Sequence, residues 1–186
     1  VLYFGLGIIV ISILLAAGLP AINKLRDKNV VIQTKEVFQI LDKNIRDVVR
    51  GGPGSQRVVS IDIKKGDFKI IDLNPPSTST PGQFEQISWQ YHTKVALSEP
   101  GKNEADASVI AEGNLRIATW SQGDGYEVKI WLPYYDNLAA DKSLIDLESS
   151  NVKTVSGITD LSIRNDGAGA LVGTTKRIKV TISEVK

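Results

Sequence analysis

Residues 23–55 read NKLRDKNVVIQTKEVFQILDKNIRDVVRGGPGS, and the change of pattern at their end sets the architecture. Val31, Thr34, Phe38, Leu41, Ile45 and Val48 recur at alternating spacings of three and four, which is one stripe of an amphipathic helix. Val37, Ile40 and Val49 widen the stripe, and Lys35, Glu36, Asp42, Lys43, Arg46 and Asp47 supply the polar side. The run then meets Gly-Gly-Pro-Gly-Ser at 51–55, a helix stop and a linker. The spacing predicts that Val31, Phe38, Leu41, Ile45 and Val48 pack this helix onto its own domain.

Upstream, the helical pattern has no polar face. The first 23 residues, VLYFGLGIIVISILLAAGLPAIN, carry no charge, and four of the next five are charged. At about 1.5 Å per residue, Val1 to Ile22 reach roughly 33 Å, close to the thickness of a bilayer core. The expectation is one helix over residues 1–50, apolar all round over 1–22 and amphipathic over 23–50. Gly5, Gly7, Ser12, Ala16, Ala17 and Gly18 are small enough to let helices approach closely. Pro20 removes a backbone hydrogen bond and favours a kink or a loosened turn. The chain holds no Met. An intact cytosolic product begins with one, so removal of a leader is expected, with truncation as the alternative.

After Gly51 the period changes from 3.6 to 2. RVVSIDI alternates, KKGD reads as a turn, and FKIIDL as the returning strand. In QISWQYHTKV, Ile87, Trp89, Tyr91, Thr93 and Val95 share one face. LRIATW, the turn SQGDG and YEVKIWL form a hairpin, while ITDLSI and KRIKVTISEV supply two late strands. The predicted class is α+β: a long hydrophobic N-terminal helix, the linker 51–55, and an antiparallel, immunoglobulin-like β-sandwich head over 56–186.

The chemistry is sparse. Lys and Arg total 22 against 21 Asp and Glu, and this balance argues against nucleic acid as a partner. The absence of Cys excludes disulfides, thiolate zinc sites, iron–sulfur clusters and a cysteine nucleophile. His92 is the only histidine, and it falls on the polar face of a strand without His or Cys partners. GAGALVG at 167–173 has the look of a phosphate loop but lacks the Lys-Ser/Thr ending, and reads as a mobile turn between strands. SQGDGYE lacks the 12-residue calcium-loop pattern. Trp131, Tyr134 and Tyr135 form either a partner-contact or carbohydrate-contact patch or a covered face. No catalytic, metal, cofactor or small-molecule site emerges, so the chain reads as a non-enzyme. Ser77, Thr78, Ser79 and Thr80, flanked by prolines, read as an O-glycosylated tract or as a bare polar loop.

The stretch IIVISILLAAGLPAINKL, an apolar run with an Ala-Ala pair and a proline before a polar continuation, resembles the consensus of mature type IV pilin-like subunits. The resemblance covers residues 1 to about 50, and the β-rich remainder fits archaeal members best. Bacterial pilins carry a glutamate at the fifth mature position. Here that place holds Gly5, or Tyr3 if Pro20 is matched to the pilin proline, so docking through a buried carboxylate is not implied. The resemblance implies an extracellular, helical filament of many copies of this chain at the surface of an archaeal cell, its β heads exposed for adhesion. Val1, Leu2, Phe4, Gly5, Ile8, Ile9, Ile11, Ser12, Leu14, Leu15, Ala16, Gly18, Leu19 and Pro20 would pack the filament core. It further implies a membrane-inserted precursor, a prepilin peptidase, and an assembly ATPase with its platform. Lys24, Arg26 and Lys28 pull the other way, since the positive-inside rule draws that end toward the cytoplasm. The alternatives are a single-pass membrane-anchored β binding module, a minor pilin and an archaellum-like subunit.

Overall fold

A single helix, α1 (Leu2–Arg50), leads into the strands. The computed structural model describes residues 2–72, 85–134, 145–150, 152, 154–172 and 175–185, without the side chains of 2–17, 20, 170–172, 175 and 176. Val31, Thr34, Phe38, Leu41, Ile45 and Val48 form one buried face of α1, none of them more than 3% exposed. Each large apolar side chain so buried contributes about 1.5–3 kcal/mol of gross hydrophobic stabilisation. Phe38 meets Phe68 of the sheet edge to face, with centroids 5.7 Å apart.

The strands are β1 (Gln56–Ile71), β2 (Gln86–Thr93), β3 (Ile110–Glu112), β4 (Leu115–Gln122), β5 (Gly125–Pro133), β6 (Ile145–Ser150), β7 (Thr154–Val172) and β8 (Thr175–Glu184). They form one eight-stranded sheet in the order β3-β4-β5-β2-β1-β7-β8-β6. All pairs are antiparallel except β6 with β8. The inward residues, among them Ile61, Ile63, Ile87, Trp89, Ile130 and Ile163, join the buried stripe of α1 in one hydrophobic core.

The expected class, a long hydrophobic helix followed by a β-sandwich head, is therefore corrected. The described chain is strand-rich, with one helix and one mostly antiparallel sheet and no second sheet facing the first. Alternation records only that one face of each strand is buried; here α1 covers that face, where a sandwich would need another sheet. Among the described residues no helix is long and apolar enough to cross a membrane.

Three local expectations also change. Lys64-Lys65-Gly66-Asp67 is not a hairpin turn. β1 runs through it, pairing with β2 over Asp67–Ile71 and with β7 over Gln56–Ile63 and again at Phe68 and Lys69, with a register shift against β7 between Ile63 and Phe68. Gly66 makes that irregularity possible, with φ of 85°. The glycine-rich stretch after Gly167 is not a turn either: β7 continues to Val172 and absorbs two register shifts against β8. Thirdly, β3 and β6 are strands that pattern did not mark, and β6 introduces a parallel pair into a sheet expected to be antiparallel.

Gly66 yields a prediction. A Cβ there would lie 2.4 Å from Trp89 Nε1 and 2.7 Å from the Gln90 carbonyl oxygen, with φ already left-handed. Trp89 Nε1 donates to the Lys65 carbonyl at 2.7 Å, so the ring has no room to retreat without losing that bond. Gly66→Ala is expected to cost about 2–4 kcal/mol, measured by urea unfolding. A loss of under about 0.5 kcal/mol, the size of an ordinary surface substitution, would contradict the packing described.

Candidate assembly surface

The sheet grips α1 on one side along its second half. The uppermost anchor is Asp27, which points at the end of β2. Its carboxylate accepts hydrogen bonds from Tyr91 Oη at 2.8 Å, Thr93 Oγ1 at 3.2 Å and the Lys94 backbone N–H at 3.3 Å. Lys65 Nζ stands 3.9 Å away. Burial disfavours the charged carboxylate, but the Tyr91, Lys94 and Thr93 donors and the Lys65 charge outweigh it, holding Asp27 below its ordinary 3.8. Tyr91 is pushed up to about 12, first by burial and then by its bond to Asp27.

These shifts predict a pH dependence. A depressed Asp27 adds stability above its ordinary 3.8, and that part is lost as pH falls through the lowered value. A raised Tyr91 adds stability below pH 10, and that part is lost as pH rises from 10 through about 12. The gap in Tm between the unaltered chain and Asp27→Asn should be constant across neutral pH and close below pH 4. A gap that persists undiminished in acid would show that the ionised carboxylate is not what holds α1 to the end of β2.

Lower down, Asp42 accepts from Asn114 Nδ2 and from Tyr134 Oη, both at 3.1 Å, and from Arg46 Nε at 2.8 Å. Tyr134 is buried, and its hydroxyl is raised well above 10 by that burial and by the Asp42 charge. Lys35 pairs with Glu112 of β3. At the helix end, Ser55 Oγ donates to the Val48 carbonyl, and Asn165 Nδ2 of β7 donates to the same oxygen at 3.3 Å. Carbonyls left without intrahelical donors are thus met from the linker and the sheet.

On the opposite side of α1, Asp47 meets Arg57 of β1 at 3.2 Å near the helix end, and above it the described residues show no such partners. Leu19, Ile22, Leu25, Ile32 and Ile40 are between 43% and 62% exposed. At 100° per residue, Ile22, Leu25, Ile32 and Ile40 fall on the side away from Val31, Phe38, Leu41 and Ile45. They continue the apolar character of the uncharged segment 1–23 down beside the head. Isolated apolar residues are ordinary on a surface, and these four share one face of α1 with the exposed Asn29, Glu36 and Lys43.

Of the residues expected in a filament core, Gly18 is half-buried and Leu19 exposed. Val1 and the side chains of Leu2, Phe4, Gly5, Ile8, Ile9, Ile11, Ser12, Leu14, Leu15, Ala16 and Pro20 lie outside the described residues, as do Ser77, Thr78, Ser79 and Thr80. Val31, Phe38, Leu41, Ile45 and Val48 are buried against the sheet. The exposed ridge escaped sequence reading because Ile40 was assigned to the packing stripe, and Ile22, Leu25 and Ile32 are separated by charged and amide residues.

His92 is on the outer sheet face, with Glu127 at 3.4 Å and Asp124 at 3.8 Å. Among the described residues no group of three or more His, Cys, Asp or Glu is placed to hold a metal. Trp131 is half-buried beneath Lys129, whose Nζ sits 5.4 Å from the ring centroid. A groove of about 320 Å³ between α1 and the β3–β4 hairpin is lined with both signs of charge, including Asp42, Lys43, Asp47 and Glu112. No family model, curated protein or solved structure matches the chain.

Proposed function

We propose that this chain is a structural, non-enzymatic subunit of an extracellular filament of the type IV pilin-like kind, polymerising through α1 and displaying the sheet outward. The carrying observation is that Ile22, Leu25, Ile32 and Ile40 are exposed on α1 opposite the face that holds the sheet. A helix anchored to its own head on one side only can place its other side against copies of itself. The uncharged segment 1–23 would join the same contact. Burying on the order of 1,500 Å² of apolar surface per subunit is worth tens of kcal/mol gross, and association costs reduce this to a much smaller net gain. The resemblance of the first 50 residues to pilins supports the reading, and the β head would set adhesion at the filament surface.

The test is assembly of the full chain. Purified in detergent and then freed of it, the protein should sediment as long polymers of uniform width. A protein that remains a monodisperse monomer, or forms only amorphous aggregate, contradicts the reading.

A further inference from the structure

Where α1 meets the sheet, its chemistry changes abruptly. Residues 1–23 carry no charge, and Lys24, Arg26 and Lys28 follow, all three exposed. None of the three belongs to an ion pair among the described residues. The one carboxylate between them, Asp27, is turned into the sheet, where Tyr91, Thr93 and the Lys94 backbone hold it and Lys65 stands 3.9 Å away. The next carboxylate along α1, Glu36, lies about 12 Å below Lys28. The sheet adds little negative charge at this end. Lys64 and Lys65 of β1 outnumber Asp67, and Asp124, between β4 and β5, is held by Lys94.

At about 100° per residue, Lys24 and Lys28 stand on one side of α1, and Arg26 lies about 160° round from both. The three therefore form a collar and not a stripe. Along the helix axis the collar is about 6 Å deep. That matches one headgroup layer of a bilayer, about 5–8 Å between hydrocarbon and water. We infer that this collar seats the subunit on an anionic lipid surface, with Lys24, Arg26 and Lys28 among the headgroups and segment 1–23 entering the hydrocarbon. One neighbouring helix could meet Lys24 and Lys28, or Arg26, but a lipid surface surrounds α1 and meets all three. Cations beside an apolar segment gain from such a surface, and the inward turn of Asp27 withdraws the group it would repel. The inference deepens the reading proposed above: it rests on the apolar segment of that reading, and it names the surface that holds the subunit before assembly.

The experiment is co-flotation of the full chain, diluted from detergent, with two kinds of vesicle: phosphatidylcholine alone, and equal parts of phosphatidylcholine and phosphatidylglycerol. The unaltered chain should partition into the anionic vesicles on the order of a hundredfold more strongly at low salt, and high salt should erase most of that preference. K24Q/R26Q/K28Q should bring the preference to within about threefold. K43Q/R50Q/K69Q removes the same charge away from the collar and should leave the preference in place. Equal partitioning of the unaltered chain overturns the inference, as does a collar variant that keeps the full preference or a control variant that loses it equally. If the collar variant keeps its vesicle preference and loses only the ability to polymerise, the cations belong to contacts between copies and the inference is wrong. Sedimentation after detergent removal tests the filament reading separately. Anionic preference without polymer sinks that reading and leaves the collar standing, and polymer without anionic preference does the reverse.

Discussion

Leu14→Asp or Ile9→Lys is expected to abolish assembly and to leave the sheet domain intact. Both positions lie in the uncharged segment 1–23. Among the described residues, the first hydrogen bonds between α1 and the sheet are those that Asp27 accepts, and the first buried side chains are Val30 and Val31. The substitutions therefore precede every contact between α1 and the sheet named among the described residues. In a helical polymer each would place an unpaired charge in an apolar contact, at a cost of several kcal/mol per ion, repeated at every subunit. Sedimentation after detergent removal should show no polymer. Near-UV circular dichroism and the thermal transition of the full chain in detergent should match the unaltered protein. Ordinary polymers from either variant would remove segment 1–23 from the contact, and lost near-UV signal would show that the segment is needed by the head itself.

The second large effect lies at the far edge of the sheet. Arg177 of β8 reaches Glu85 with Nη1 to Oε1 at 2.7 Å and Nη2 to Oε2 at 2.5 Å, a two-bond fork. Asp146 of β6 stands 3.5 Å from the same guanidinium, and the Ile145 carbonyl also accepts from it. The Arg177, Glu85 and Asp146 side chains are at most 3% exposed. Glu85 Oε2 further accepts the Leu147 backbone N–H at 2.9 Å, and Asp72 accepts that of Ser149 at 3.0 Å. The carboxylates of Glu85 and Asp72 thus occupy backbone donors of β6, the parallel strand that ends the sheet, and leave less of that edge open to another chain. Arg177→Met is expected to cost about 3–5 kcal/mol, because it strands two carboxylates away from water. The loss should change little with salt, since a buried pair is weakly screened. Amide exchange should rise first at Leu147 and Ser149. An unfolding midpoint equal to that of the unaltered chain would show that the fork is dispensable.

The 3.6-residue stripe from Val31 to Val48 and the alternation of Ile87, Trp89 and Tyr91 are local patterns, and both are legible in the sequence. What covers the alternating faces was not, because a strand buried beneath a helix has the same pattern as one buried beneath a second sheet. Gly66 misled for a related reason: a glycine with positive φ suits a bulge as well as a turn. β6 is six residues, Ile-Asp-Leu-Glu-Ser-Ser, and its parallel partner β8 begins 25 residues later than its own end at Ser150, at Thr175, with no intervening helix to announce the crossover. The Glu85–Arg177 fork spans 92 residues, and two charged side chains carry no periodic signal of a shared burial site. The ridge on the outer face of α1 was visible only once the inner face had been fixed by its contacts, which released Ile40 from the packing stripe to the solvent side.

The central claim is that this chain builds a filament through α1, and electron microscopy of material sheared from the source cells tests it most directly. Negative staining, with the protein identified by mass spectrometry, should show thin filaments of uniform width in which this chain is the principal component. Finding the chain only as a monomer in the membrane fraction, with any filaments made of another protein, would contradict the account.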